Sequence, residues 1–337
     1  MKKIEVVFVI LYILAAISLA AGLSLNFTPA AVSLPALPAE PVLAEKTEKM
    51  EETEKTARIL FVGDIMLDRG VIYYSEKSAG KNANGFIFEK IHQELLKNDI
   101  VVANLEGPIT DNESVSISAK QDSPEIFYFT FNPSWAKTLS ENNIRLVDLG
   151  NNHILNFGGQ GLAETKKYLR EAGVDYFGAP DYPKSIAIEI NGIKVAFISY
   201  NEFSAYNKIE AESAIEEIEA AKKHADIIIV FAHWGAEYVP VPADSVRELS
   251  HKFIDEGADL IIGSHPHVIQ PVEVYKNKRI YYSLGNFIFD QYFSEETKKG
   301  LGVVVKIDKE KRLLKFEEIN FYTQPNGQTI VENNPEK

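Results

Sequence analysis

The chain has 337 residues, 45% hydrophobic and 25% charged, with a formal net charge of −13. This is ordinary globular composition with ample length for a large core, and the acidic balance disfavours nucleic acid, whose binding rests on Lys and Arg meeting phosphate. No cysteine is present, which excludes disulfides, Cys-ligated zinc, a Cys nucleophile and a lipidated cysteine.

In chain order, the first element is an uncharged apolar run over residues 6–24, preceded by Lys2 and Lys3. A cleavable signal has an apolar core of roughly 7–15 residues, whereas a spanning helix needs about 20. The run lies near the spanning length and reads as a transmembrane anchor; the small-x-small Ser18-Leu19-Ala20 leaves a cleaved signal as the alternative. Residues 1–5 then form the cytoplasmic end. Positive charge inside places the rest of the chain outside the cytoplasm, as a single-pass cell-membrane protein. Residues 25–57 read as a stalk, first Pro/Ala-rich and semi-rigid, then highly charged and unable to bury a core. The folded domain is expected over 58–324, with a polar tail fraying over 325–337.

Within the domain, strand and helix signals alternate. Strands are expected at 58–66, 99–106, 145–150, 226–234 and 259–267, and helices at 86–98, 134–143, 160–172, 212–224 and 244–256. Phe88, Ile91 and Leu95 carry the helical spacing of the first. Gly173 and Gly257 are expected helix stops and Asp244 a cap. Residues 186–200 are two β runs around Asn191-Gly192, a hairpin signal. The end of the chain, 272–287 and 301–321, is strand-rich. Continuous apolar runs suggest strands buried on both faces. The expected architecture is one α/β domain of mixed sheets, two packed together with helices outside.

Five of the apolar runs end in residues able to hold, or act beside, a metal ion: Gly63-Asp64, Asn104-Leu105-Glu106, Asn151-Asn152-His153, His233-Trp234 and His265-Pro266-His267. In an open α/β sheet the carboxyl ends of the strands line the edge where ligands bind, so these groups are expected to converge. Singly, Asp64 or Glu106 is a turn carboxylate, Asp68 a helix cap or a partner of Arg69, and Asn-Asn-His a matter of turn geometry. His92, His224 and His251 fall on predicted helices and read as surface residues. The other four histidines all sit at strand ends. In extended backbone His265 and His267 would project to one side, with Pro266 stiffening the pair into a chelating arm.

Imidazole, carboxylate and amide oxygen without sulfur suit Mn, Zn or Fe(II). Asp64, Glu106, Asn152, His233, His265 and His267 offer ligands for one or two ions. A two-metal site clamps a phosphate and activates water, with His153 as general acid. Trp234, Glu237 and Tyr238 would wall or orient the site. Asn286 is a candidate for orienting the ligands from behind or for binding substrate, or else a simple Gly-Asn turn. No GxSxG, P-loop or GxGxxG motif offers a rival chemistry.

As a set and in order, Gly63-Asp64, Asn104-Leu105-Glu106-Gly107-Pro108, Asn151-Asn152-His153, His233-Trp234-Gly235, Glu237-Tyr238, Gly263-Ser264-His265-Pro266-His267 and Ser283-Leu284-Gly285-Asn286-Phe287 resemble the bacterial CapA family of capsule-synthesis proteins. That resemblance covers roughly 58–290 and implies a part in poly-γ-glutamate capsule biosynthesis. The family is similar in turn to calcineurin-like metallophosphoesterases, which implies a four-layer α/β/β/α sandwich and a two-metal site. It implies that Asp64, Glu106, Asn152, His233, His265 and His267 are ligands, Glu106 bridging, that Asp64 and His153 are catalytic, and that Asn104 lies beside them. Where the superfamily has Asp-x-His, this chain has Asp64-Ile65-Met66, and Met66 is a poor ligand for a hard cation. This favours one well-held metal. The expectation is therefore a membrane-anchored, metal-dependent hydrolase-type protein acting on an anionic polymer or phosphoester, in a synthase or export complex. A non-catalytic scaffold and a phosphodiesterase unrelated to capsule are the alternatives.

Overall fold

The structure, a computed structural model, describes residues 56–332 apart from 121–122, 182–183, 205–206 and 311–312. The expected anchor, the stalk up to residue 55 and the last five residues lie outside the described residues. No helix among the described residues is long and apolar enough to cross a membrane.

The Val- and Ile-rich runs become strands of two sheets. The larger orders β14 (Thr329–Val331), β13 (Leu313–Thr323), β12 (Lys299–Asp308), β1 (Thr56–Ile65), β2 (Ile100–Leu105), β3 (Ile144–Asp148) and β4 (Asp175–Phe177), with β11 (Asn286–Ile288) also paired to β1. The smaller orders β5 (Ser185–Ile190), β6 (Ile193–Asn201), β7 (Ile227–His233), β8 (Leu260–Ser264), β10 (Lys278–Tyr281) and β9 (Val272–Tyr275). β2 and β8 are buried along their whole length, as continuous apolar runs require when both faces are covered. Asn191 and Gly192 both take positive φ, 51° and 78°, the turn that joins β5 to β6. β14 falls inside the stretch expected to fray: Phe321 to Thr323 of β13 pair with Thr329 to Val331.

Three buried clusters mark how the layers stack. Phe61, Phe177, Phe197 and Phe231 lead the one between the sheets, with ring centroids 5.9–6.5 Å apart. A second lies between the larger sheet and α1 (Arg69–Ala79), α2 (Ala83–Phe88), α3 (His92–Leu95), α4 (Ser134–Glu141) and α5 (Gly158–Glu171), and includes Val71, Phe88, Leu95, Trp135 and Leu169. A third lies between the smaller sheet and α6 (Asn207–Ala221) and α7 (Asp244–Glu256), with Ala214, Ile218 and Phe253. Truncating one of the inter-sheet phenylalanines should cost about 3–5 kcal/mol.

The helix expected over 86–98 is two short helices, α2 and α3, divided near Glu89–Ile91. Asp244 lies in the first turn of α7 rather than at its cap, which is Ala243, while Gly257 ends that helix at φ 126°. Asp68 is a true helix cap: its carboxylate accepts from Arg69 N at 2.8 Å. Arg69 instead pairs with Asp290. α1 itself had no clear sequence signal.

Parallel β1, β2, β3, β7 and β8 bring their carboxyl ends to one edge. β1 changes partner on the way. Thr56–Phe61 pair with β12, whereas Asp64 and Ile65 pair with β11 across a register shift. Gly63 allows that switch, since a Cβ there would overlap the Gly285 carbonyl. Gly263 plays the same part on β8 against Tyr282 O.

Candidate metal centre

Each strand end delivers one or two polar side chains into a small buried volume. Asp64, Asn104, Glu106 and His233 are fully buried, and His265 and His267 nearly so. Ligand atoms of Asp64, Glu106 and His233 lie within 4.8 Å of one another, as do those of Glu106, His265 and His267. Glu106 belongs to both groups, the position expected of a bridging carboxylate.

The arm carrying His265 and His267 is not extended. Their φ angles are 93° and 58°, in the left-handed region that non-glycine residues seldom occupy. The two rings meet, with centroids 5.8 Å apart, because the backbone bends after β8 and not because of strand alternation.

Hydrogen bonds fix which atoms face inward. Asn151 Nδ2 donates to Asn104 Oδ1 at 3.0 Å, so the Asn104 amide nitrogen points to Asp64 Oδ1 at 2.8 Å and Glu106 Oε2 at 3.2 Å. Asn286 Nδ2 donates to Gln291 Oε1 and Thr297 O, which leaves its oxygen to accept from His267 Nδ1 at 3.0 Å. His267 Nε2 then faces Glu106 Oε1 at 3.6 Å. Ser264 Oγ donates to Ala232 O and lies 3.0 Å from His233 Nδ1, from which it can accept. His233 Nε2 is left 2.9 Å from Asn152 Oδ1 and 3.1 Å from His265 Nδ1, so lone-pair atoms converge. These are the outer contacts that orient ligating imidazoles.

The electrostatics follow from burial. Desolvation pushes His233 well down and His265 to about 3, with neighbouring imidazoles adding to it. Desolvation also opposes charge on His267, yet Glu106 and Asp64 outweigh it and hold that imidazolium up to about 9. Glu106 is raised well above the usual carboxylate range, by burial first and then by the neighbouring Asp64 and Glu237 charges, with His267 pulling it back down. Its Oε1 has no hydrogen-bond partner in the protein. A buried orphan carboxylate oxygen, converging nitrogen lone pairs and a sulfur-free N/O donor set together fit a divalent transition metal.

His153 lies at the rim. Its Nδ1 is 3.2 Å from Asn156 Oδ1, an oxygen that also accepts from Phe129 N at 2.9 Å, so Nδ1 carries the hydrogen. Nε2 faces Glu106 Oε1 at 3.9 Å. Burial lowers His153 to about 4, so at neutral pH this Nε2 is unprotonated and able to accept a proton. Beneath it, buried Asp148 accepts from Gly150 N at 2.9 Å and anchors the 149–153 turn.

The other expected site residues divide. Trp234 packs in the helix-side core and donates its indole N–H to Tyr282 O at 2.9 Å, so it braces β7 and does not wall the site. Glu237 is exposed, close enough to act electrostatically on Glu106 and His267. Tyr238 lies over His267 with ring centroids 6.0 Å apart. Met66 is fully buried, its sulfur accepting from Asp68 N at 3.2 Å. His92, His224 and His251 stay outside; His251 pairs with Glu273 at 2.6 Å. The sequence offers no role for Ser264 or for Phe203 (ring centroid 4.1 Å from His265), and for Arg69 only a pairing with Asp68, whereas its guanidinium lies 4.8 Å from the Phe129 ring that packs 4.3 Å from His153. Ser264 sits inside the Gly-Ser-His-Pro-His run, a signal that could have marked it.

A crystal structure of a phosphatase from Mycoplasma pneumoniae superposes with a TM-score of 0.51 over 83% of this chain and 95% of that one, at 15% identity. The likeness is one of fold, a mixed α/β domain with two sheets. The chain is 36% identical to the PGA biosynthesis protein CapA of Bacillus subtilis over 247 residues, 68% of this chain and 63% of the relative. It is 30% identical to the capsule biosynthesis protein CapA of Bacillus anthracis over 249 residues, 68% and 59% respectively. The matched region thus spans less than two thirds of either relative's length. Residues 58–291 match the family described as bacterial capsule synthesis protein PGA_cap, and the chain belongs to that family.

Proposed function

We propose that this chain acts in the biosynthesis, export or anchoring of a poly-γ-glutamate-type capsule polymer, through a metal-dependent, hydrolase-like site. In this reading residues 6–24 anchor it in the cell membrane, with the domain outside the cytoplasm beside a synthase or export complex. The observation that carries it is the convergence of Asp64, Glu106, His233, His265 and His267 in two groups that share Glu106. A divalent Mn, Zn or Fe ion held there would polarise a carbonyl or phosphoryl oxygen as a Lewis acid. The chain's own residues supply the rest. Asn104 and Asn286 hold the ligands in orientation, Asn152 offers its oxygen at the rim, and His153 Nε2 takes up or returns a proton at the oxygen of the reacting bond.

The test is metal analysis of the purified full chain, alongside capsule complementation. Wild type should retain a transition metal, His265→Ala/His267→Ala should lose it, and His153→Ala should keep the metal while polymer output falls. No retained metal, together with unchanged output in the double variant, would sink the proposal. A scaffold role is favoured by one observation, a thioether at Met66, a poor ligand for a hard cation, whose sulfur is engaged by Asp68 N. It predicts output that is indifferent to His153→Ala but abolished by deleting residues 6–24.

A further inference from the structure

Tyr238 shares the left-handed backbone of the His265–His267 arm, with φ 63°. For so bulky a residue this is a genuine outlier, and strain of this kind collects at functional sites. It is held from both sides. Tyr238 N donates to Pro266 O at 2.8 Å, which ties the loop after β7 to the arm. Gln270 Nε2 donates to Val239 O, also at 2.8 Å. The ring is thereby laid over His267, while Tyr238 as a whole stays 43% exposed.

The direction of its hydroxyl follows from a chain of amides. Thr297 O can only accept, and it takes Asn286 Nδ2 at 2.8 Å. The same nitrogen donates to Gln291 Oε1 at 3.0 Å, so Gln291 presents its Nε2 to the Tyr238 hydroxyl oxygen, also at 3.0 Å. Gln291 is buried, and Thr297 Oγ1 donates to its carbonyl oxygen at 2.6 Å, so the amide is not free to turn over. An amide nitrogen donates and does not accept. The phenol hydrogen is therefore excluded from Gln291 and turned to the open side of the centre. Its partner there among the described residues is Glu237, an exposed carboxylate that a ligand can displace.

We propose that Tyr238 is a ligand-binding residue of this centre, its hydroxyl donating to an anionic oxygen of the bound ligand, and that Gln291 is the positioning residue that turns the O–H that way. The inference rests on the metal-site reading above. A hydrogen bond from a neutral donor to an ionised acceptor is one of the stronger kinds, and a phenol keeps its proton at neutral pH. The contact selects by shape. A phosphoryl or carboxylate group has a second oxygen beside the one a metal takes, and a lone water or hydroxide has none. The same Asn286 amide that sets Gln291 also receives His267 Nδ1 at 3.0 Å, so one buried carbonyl, Thr297 O, orients both an expected metal ligand and the donor above it.

The test is binding of inorganic phosphate and of glutarate to the purified, Mn²⁺-treated full chain by isothermal titration calorimetry, with metal content measured in parallel. Wild type should bind at least one of the two, and the tighter one tells whether the oxygen is a phosphoryl or a carboxylate oxygen. Tyr238→Phe should weaken that binding roughly tenfold, the size expected for one hydrogen bond to a charged acceptor, with metal content unchanged. Gln291→Glu presents only acceptors, so the phenol hydrogen should turn inward and binding should weaken by a similar factor. In the Tyr238→Phe background, Gln291→Glu should add nothing, because Gln291 acts through the hydroxyl; a structural or purely electrostatic role would weaken binding in both backgrounds. Tyr238 is exposed, so its variant decides the matter even if Gln291→Glu folds poorly. The proposal is overturned by any of three results: neither probe bound by wild type, either single variant binding as wild type with metal retained, or a further loss in the double variant. If Tyr238→Phe weakens binding but wild type holds no metal, the donor stands and the metal-dependent reading falls.

Discussion

Glu106→Gln should act in opposite directions depending on metal. Without metal, the centre buries one imidazolium, His267, against two carboxylates, Asp64 and Glu106, with Oε1 of Glu106 unpartnered. An unsatisfied buried group costs about 1–3 kcal/mol, and more when charged. Gln is nearly isosteric, its oxygen can still accept from Asn104 Nδ2, and it leaves His267 and Asp64 as a balanced pair 3.2 Å apart. In chelator the variant should therefore be more stable than wild type by about 1–3 kcal/mol. With metal at about 100 times its dissociation constant, wild type should gain about 2.7 kcal/mol, a rise of roughly 5–10 °C in Tm for a domain this size. The variant, lacking the carboxylate common to both ligand groups, should gain almost nothing. Differential scanning calorimetry of both proteins with EDTA and with Mn²⁺ measures all four values. A variant less stable in EDTA, or one that keeps the full metal-induced shift, would refute the reasoning.

Asp148→Asn should remove a pH dependence. Burial, opposed by the Gly150 and Ser199 hydrogen bonds, raises Asp148 from 3.8 to about 7. In the window between, the unfolded chain has released a proton that the native state keeps, so stability falls as pH rises from about 4 to 7, by at most a few kcal/mol. Urea melts across that range should show a shallower slope for the variant, and an unchanged slope would be fatal to the idea. Trp234→Phe strands the Tyr282 carbonyl and should cost about 1–3 kcal/mol with metal content intact; lost metal by elemental analysis would return Trp234 to the site. Gly63→Ala forces β1 and β11 apart and should leave little soluble protein, as judged by expression and circular dichroism; a normal melt would contradict the close approach.

Much of the centre is legible in the sequence because chemistry and topology agree. Strand ends of a parallel sheet share an edge, which unites Asp64 with Glu106 on the larger sheet and His233 with the His265–His267 arm on the smaller; that the two edges meet depends on how the sheets pack. What stayed hidden depends on long-range geometry. Trp234 adjoins His233, but strand alternation turns it into the helix-side core. The positive φ angles of His265 and His267 left no local trace, since Pro266 suggests extended chain. Arg69 looked like the partner of Asp68 beside it, whereas its real partner, Asp290, is remote in sequence. The split of 86–98 into α2 and α3 was invisible for the same reason, because apolar spacing continues across the break.

The contact between Gly63 and Gly285, and that between Gly263 and Tyr282, join strands main chain to main chain. Asp64, His265 and Asn286 each follow one of these contact positions within two residues. The attachment points of the ligands are therefore set by the peptide frame and are indifferent to what side chain hangs from it. A ligand can be exchanged or lost at such a frame without the others shifting. Substitution at one such position should therefore change the donor set one residue at a time while the strands keep their register.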